Sequence, residues 1–147
     1  MKQTIEPLTA AEEEWIRDQL DGVRIFVEAF SPEDAPEALT LGALDRAFAA
    51  WTATRETDPQ QINAAIRVVG IGFGELLVRG LGLSWVVVTD DRGRELAVHG
   101  LPGRGDVLVF PQSLVAKRWQ KRTTYFLASV FQQIAAHLAA LQKRGTN

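Results

Sequence analysis

The chain contains no cysteine and only two histidines among its 147 residues. Without thiols it cannot form disulfides, thiolate metal sites or a cysteine nucleophile. His99 and His137 are too far apart in sequence to form the H-x-x-x-H pair that is typical of zinc sites. We therefore predict neither a metal site nor a bound cofactor.

Long uncharged apolar runs are also missing, and none approaches the roughly 18 residues that indicate a membrane-spanning helix. The first residues, MKQTIEPLTAAEEEW, have no basic start followed by an apolar run, which argues against a signal peptide. Hydrophobic residues make up 46% of the chain and charged residues 23%, as in ordinary globular proteins. We expect one domain over residues 1–147, located in the cytoplasm and not in a membrane.

The net charge of −2 hides an uneven distribution. Residues 1–40 hold ten acids and three bases, a balance of −7, whereas residues 92–147 hold nine bases and two acids, a balance of +7. Such asymmetry can mark a binding face. It can also arise when an acidic N-terminal helix packs beside a basic C-terminal segment. We favour the second interpretation because neither end is of low complexity.

A glycine-rich stretch, residues 62–82, can be interpreted as a phosphate-binding loop or as a buried helix. Its G-x-G-x-G spacing departs from the dinucleotide-binding G-x-G-x-x-G, and Asp58-Pro59 before it is a helix-start signal. A helix is therefore predicted, with Gly70, Gly72 and Gly74 as contact points of a buried central helix. Its shared apolar face would carry Ile62, Ile66, Val69, Phe73 and Leu76.

The remaining pattern predicts an α+β domain. Thr9 and Glu12 form a capping box for a helix over about residues 10–29, a second helix covers 41–54, and residues 31–39 form a turn or short helical piece. Three strands, residues 83–89, 95–99 and 106–110, form an antiparallel meander with a hairpin turn at 90–93. The N-terminal helices and the central Gly-containing helix would pack on this meander, followed by C-terminal helices. The pattern of residues 112–144 predicts either one bent helix or two helices. In the second case Thr123 or Thr124 would cap the last helix.

Few residues suggest catalysis. His99 and Asp106 are close enough in the predicted meander to form a pair, and Ser113 is the nearest serine. No G-x-S-x-G turn is present to expose a serine nucleophile, so Ser113 is better explained as a helix-start residue. His137 fits a partly exposed helix position. We predict no catalytic residue.

Glu75 is the most unusual polar residue because it lies in the most apolar helix. A buried carboxylate needs solvent or a cation. Arg79, four residues further on, is the simple partner, whereas Lys117 or Arg118 would tie the central helix to the segment after the sheet. We hypothesise a Glu75–Arg118 contact.

The segment of residues 117–122, with Tyr125, has bases interleaved with aromatics, as in some nucleic-acid-binding surfaces. The same pattern is typical of a solvated helix face over a buried Trp119. With a sequence pI near 5.7 we favour the second explanation and do not expect nucleic acid as a partner.

An ordered series of short motifs, GFGE at 72–75, SWVVVTD at 84–90, Gly93, VFP at 109–111 and VAKR at 115–118, resembles a bacterial family of small domains of unknown function. The similarity covers about residues 66–121. It implies no activity, and it implies that six residues belong to one spatial cluster: Glu75, Trp85, Phe110, Pro111, Lys117 and Arg118.

Our leading hypothesis is a non-enzymatic interaction or accessory domain that binds a protein partner or a second copy of itself. It rests on the lack of assembled catalytic groups, and on more large apolar helix residues than a small meander needs to cover it. These residues are Trp15, Phe26, Phe30 and Trp51. The alternative is a small-molecule or hydrolytic site in a cleft between the sheet and the Gly-rich helix, using Glu75, Trp85 and Arg118.

Overall fold

The computed structural model describes residues 3–145, which fold as the α+β domain that the sequence predicts. The helices and strands are β1 (Thr4–Pro7), α1 (Ala10–Phe30), a 3-10 helix (Pro32–Glu37), α2 (Leu41–Ala53), α3 (Pro59–Leu81), β2 (Ser84–Asp90), β3 (Gly93–Gly100), β4 (Val107–Val109), α4 (Pro111–Gln120) and α5 (Leu127–Gly145). The helices cluster around α3, and the sheet packs at one end of this cluster through α3, α4 and α5.

The sheet has antiparallel strands in the order β1-β2-β3-β4 over the described part of the chain. The predicted meander of β2 to β4 is confirmed, with a tight turn between Asp90 and Gly93. The prediction missed β1, which pairs with β2 and places Ile5 opposite Val88. This strand has four residues, of which one is a half-buried aliphatic residue and one is Pro7. Such a stretch carries too little alternation to indicate a strand.

Both faces of the sheet carry buried apolar side chains. On one face, Val98 of β3 and Val109 of β4 join the main core that the helices form. On the opposite face a second, smaller cluster lies apart from this core. Its members are Val86, Val88, Ala97, Ile5, Leu108 and Phe110. The alternation follows from the pleat, and it explains why the sequence of β2 is apolar at successive positions.

Local signals set the helix starts as predicted. Thr9 accepts a hydrogen bond from the N–H of Glu12, and the Glu12 carboxylate accepts one from the N–H of Thr9. Asp58 caps α3 by accepting from the N–H of Gln60, and Gly82 ends that helix with a φ of 70°. This φ lies in the left-handed region that glycine adopts at little cost. The glycine-rich stretch is therefore a helix.

Residues 112–144 contain two helices. The chain leaves α4 through Arg122 at φ 55° and Tyr125 at φ 56°, and left-handed residues cannot continue a right-handed helix. The prediction that Thr123 or Thr124 caps the last helix is wrong. The cap comes from another element, α2.

Asp45 of α2 caps α5 across the core. Its carboxylate oxygens accept hydrogen bonds from the backbone N–H of Leu127 at 3.1 Å and of Ala128 at 3.4 Å. Phe126, which precedes α5, has no side-chain oxygen to satisfy these N–H groups. Burial raises the pKa of Asp45, and the backbone N–H groups act in the opposite direction. A buried acid is therefore kept in the core by a helix N-terminus.

Four elements, α1, α2, β2 and α4, approach α3 at Gly70, Gly72 and Gly74. A Cβ on Gly70 would lie 2.8 Å from the Cα of Gln112 in α4, and a Cβ on Gly74 would lie 2.7 Å from Cζ2 of Trp85 in β2. Gly72 faces side chains of α1 and α2 at longer distances. The prediction that these glycines are contact points of a buried helix is confirmed.

The large apolar helix residues mostly contribute to packing between helices. Trp51 is buried, and Phe26 and Phe30 are half-buried against the main core. Trp15, at 37% exposure, is the member of the set that remains open to solvent. The predicted excess of apolar residues arose because the sheet was taken as their main partner, whereas they pack largely within a helical core.

We predict that Asp45→Ala lowers the free energy of unfolding by about 1 kcal/mol, within a range of about 0.5–2, because the first turn of α5 loses its cap. Urea unfolding followed by circular dichroism measures this change. Asp45→Asn keeps an acceptor oxygen and should lose less. An unchanged stability for Asp45→Ala would show that the cap contributes nothing.

The same residue gives a pH prediction. Because the folded-state pKa of Asp45 lies above its ordinary value of 3.8, the folded protein holds this proton more tightly than the unfolded chain. The contribution of Asp45 to stability is thus fully present below pH 3.8 and is lost as pH rises through the folded-state pKa. Asp45→Asn, which cannot titrate, should become more stable relative to the unaltered protein over that rise. A constant difference in unfolding free energy across this range would contradict the prediction.

We predict that Gly74→Ala destabilises the protein by about 1–3 kcal/mol, because the new methyl group collides with Trp85 and Pro111. Gly72→Ala is the matched control. There the nearest atoms are single methyl carbons at longer distances, 3.1 Å from Leu44 and 3.3 Å from Val23. Equal melting temperatures for the two variants would show that close contact with α3 is not what these glycines provide.

Candidate functional site

Glu75 and Trp85 are in direct contact. The indole Nε1 of Trp85 donates a hydrogen bond to Glu75 Oε1 at 3.0 Å, and Arg79 Nε donates to Glu75 Oε2 at 2.7 Å. The Glu75 side chain is only 15% exposed, so these two donors satisfy a carboxylate that burial would otherwise penalise. Glu75 therefore connects α3 to the start of strand β2.

Arg118 does not join this pair. The predicted Glu75–Arg118 ion pair is wrong, because the cation at Glu75 is Arg79 of the same helix. A neighbour four residues along a helix is already within reach, whereas a second element would have to be ordered to supply the charge. The Arg118 guanidinium lies 5.7 Å from the ring centre of Phe126. Trp85 fills the space beside Gly74, so no cleft opens between the sheet and α3 at this point.

Lys117 and Arg118 instead line a surface groove of about 790 Å³ that includes neither Glu75 nor Trp85. The groove has five basic side chains: Arg92 and Arg94 from the β2–β3 hairpin, and Lys117, Arg118 and Lys121 from α4 and the residue after it. Two acids, Asp90 and Glu95, reduce the excess to three positive charges. Its apolar lining includes Val88, Leu108, Phe110, Leu114, Val130 and Ile134. We call this feature the basic groove.

Most of the positive charge in the basic groove is uncompensated. Arg94 pairs with Glu12 of α1 at 3.3 Å. Within residues 3–145, Arg92, Lys117 and Lys121 form no ion pair with a carboxylate. The Glu95 carboxylate accepts a hydrogen bond from Ser113 Oγ, at the first turn of α4. The groove therefore presents free cations beside apolar side chains.

The basic and aromatic residues of segment 117–122 lie on two surfaces. Lys117 and Lys121 line the basic groove, whereas Trp119 and Arg122 line a different pocket beside Trp51. In that pocket the Arg122 guanidinium stacks 4.0 Å from the centre of the Trp119 ring. The basic and aromatic residues that alternate in the sequence therefore do not alternate on one surface of the protein.

His99 and Asp106 form the pair that the meander suggested, with His99 Nε2 and Asp106 Oδ1 2.9 Å apart. The N–H of Gly103, and then His99, lower the pKa of Asp106. Ser113 is bonded to Glu95 and takes no part in this pair. Ser84 does lie directly opposite His99 in the sheet, and both line a cleft of about 490 Å³ near the end of α3. His137 is exposed on α5.

Two further properties concern metals and membranes. In the part of the chain that the structure describes, no three His, Cys, Asp or Glu side chains are grouped so that they could hold a metal ion. None of the helices in residues 3–145 is long and apolar enough to cross a lipid bilayer.

Sequence reasoning did not single out Arg92, Arg94 or Leu108 as groove residues. Arg92 was part of the predicted hairpin turn, Arg94 lay between that turn and the next predicted strand, and Leu108 was part of a predicted strand. The available signal was the positive balance of residues 92–147, for which intramolecular packing had seemed the better explanation. One contact of that kind exists, between Glu12 and Arg94, but it neutralises only one of the five cations.

Residues 47–131 match the family model of a domain of unknown function, DUF3806. Neither a curated protein nor a solved structure matches the chain. The matched region covers more than half of the sequence and includes α3, strands β2 to β4, α4 and the first turn of α5. It contains the basic groove except for Gln3 at its rim and Ile134 of α5. The chain belongs to the DUF3806 family.

Proposed function

We propose that this protein is a non-enzymatic interaction domain that binds an anionic partner in the basic groove. The proposal is supported by three cations that have no carboxylate partner within residues 3–145 and lie next to an apolar lining. They are Arg92, Lys117 and Lys121. Complementary charge gives association its speed and specificity, and apolar burial adds affinity. The volume of about 790 Å³ also lies within the usual range for ligand sites.

A second copy of the same chain is a poorer partner for this groove. None of the acids of residues 3–40 lines the groove, so joining them to the groove of another copy would be a head-to-tail contact. Such contacts form open chains unless the rotation happens to close. In addition, Glu12 already binds Arg94 within the same molecule. These points favour a different protein or ligand over self-association.

We expect a ten-residue polyglutamate peptide at low salt to shift the backbone amide NMR signals of Arg92–Glu95 and Ser113–Lys121 in the full chain. Replacing both exposed lysines, Lys117→Glu with Lys121→Glu, should weaken binding by roughly tenfold, because exposed charge pairs contribute about 0.2–1 kcal/mol each and reversal adds repulsion. Salt should weaken binding further.

Arg17→Glu with Arg104→Glu is the matched control, since it makes the same charge change at exposed positions outside the groove. It should leave most of the affinity in place. The proposal fails if polyglutamate shifts no groove signals, or if the control pair weakens binding as much as the lysine pair does.

Hydrolysis in the cleft beside the end of α3 is a second candidate, because Ser84 faces His99 across the strands and His99 pairs with Asp106. The cleft is lined by Gly80, Gly82 and residues of α5, so it lies between the sheet and the Gly-rich helix. It ranks second because, within residues 3–145, Ser84 Oγ makes no hydrogen bond to His99. Activation of a serine needs that contact.

A fluorophosphonate probe, which labels activated serines, tests this candidate. Labelling that Ser84→Ala removes and Ser113→Ala leaves intact would support hydrolysis at the cleft. We expect no labelling of the unaltered protein if its role is binding alone. Circular dichroism of both variants establishes that they are folded.

A further inference from the structure

We infer that the anionic partner is a short amphipathic acidic segment of another protein, whose apolar side chains sit on Leu108 and Phe110 while its carboxylates meet the surrounding cations. This inference rests on the proposed function of the basic groove. It adds the class of the partner and the parts of the groove that each half of the partner contacts.

The apolar lining is the first reason. Leu108 and Phe110 are half-buried members of the second sheet cluster, so part of each side chain faces solvent in the groove. Leu114 and Ile134, which are also half-buried, extend this lining from α4 and α5. A small inorganic anion would leave these apolar side chains exposed to water. A ligand with its own apolar side chains would remove them from water, which is favourable in proportion to the area covered.

The arrangement of the cations is the second reason. Lys117 and Lys121 are four residues apart on and just after α4, so they lie on one side of that element, with Cβ atoms about 5–6 Å apart. Arg92 comes from the hairpin, a separate part of the groove lining. The positive charges therefore come from at least two elements on the lining of the groove. A single phosphate can meet only a few of them, whereas a segment with several carboxylates can meet all of them.

The placement of the aromatic side chains argues against nucleic acid. Proteins that bind single strands stack bases on exposed aromatic rings inside a basic channel. Here Trp119 belongs to the other pocket, where Arg122 covers its ring. The groove lining has one aromatic residue, the half-buried Phe110, and the whole chain carries a charge of −2. Carboxylates interspersed with aliphatic side chains suit this surface better than stacked bases do.

Two peptides of equal charge test the inference on the full chain. One is ELLEELLE and the other is ESSEESSE, each with blocked ends and a fluorophore, and binding is measured by anisotropy. We expect the leucine peptide to bind roughly tenfold more tightly or better, because only it can cover the apolar lining. Lys117→Glu with Lys121→Glu should weaken both peptides, and Arg17→Glu with Arg104→Glu should weaken neither by much.

Leu108→Ala should reduce the preference for the leucine peptide and leave the serine peptide nearly unchanged. The comparison of the two peptides on the unaltered protein does not depend on whether any variant folds.

Each other outcome has a definite meaning. Equal binding of the two peptides at the groove would overturn the amphipathic partner and keep the anion-binding function. No binding of either peptide or of polyglutamate would overturn both. An eight-nucleotide oligothymidylate that binds more tightly than the leucine peptide, with the same loss in the lysine double variant, would replace the protein segment with nucleic acid as the partner.

Discussion

Trp85 and Pro111 can rest against α3 because Gly74 has no side chain there, and Gln112 of α4 approaches the same helix at Gly70. Each glycine inside a helix costs about 0.8–1 kcal/mol relative to alanine. Packing offsets this cost, since close-packed interiors gain many small dispersion contacts. Further along α3, Gly80 admits the Phe131 ring of α5 in the same way. The helix thus serves as the common wall for β2, α4 and α5.

The basic groove is a consequence of this arrangement. Once Pro111 and Gln112 are held against α3, the direction in which α4 leaves the sheet is set. Val115 then faces the core, and Lys117 and Lys121 are left on the exposed side, near the β2–β3 hairpin. Glu75 acts at the opposite end of this chain of contacts. Its bond to the Trp85 indole holds the ring that occupies the space at Gly74. Glu75, the residue that looked most like a functional residue in the sequence, therefore does not line the basic groove. It helps to hold the elements that do.

Sequence reasoning succeeded where the cause of the structure was local. The caps at Thr9 and Asp58 and the hairpin at Asp90 each depend on a few neighbouring residues, and all could be predicted. Strand β1 could not, because its partners in β2 lie 79 to 85 positions away and its own pattern is weak. The prediction of the α5 cap failed for the same reason, because the capping residue Asp45 lies 82 positions before Leu127.

The site was harder to predict than the fold. A balance of positive charge over residues 92–147 indicates that a surface exists, but it does not tell which cations share that surface. Trp119 and Lys121 are two residues apart and line different pockets. On a helix, residues two apart face away from each other, so sequence proximity misleads at this point.

The bond between Asp45 and Leu127 joins positions 82 residues apart. Until α2 is docked, the first turn of α5 has unsatisfied N–H groups and no side chain of its own to satisfy them. Helices shorter than about 12–15 residues are marginal alone, and even longer ones gain most of their stability from packing. The cap of α5 therefore depends on a residue from a distant part of the sequence. The first turn of α5 is capped only when α2 and α5 have packed together.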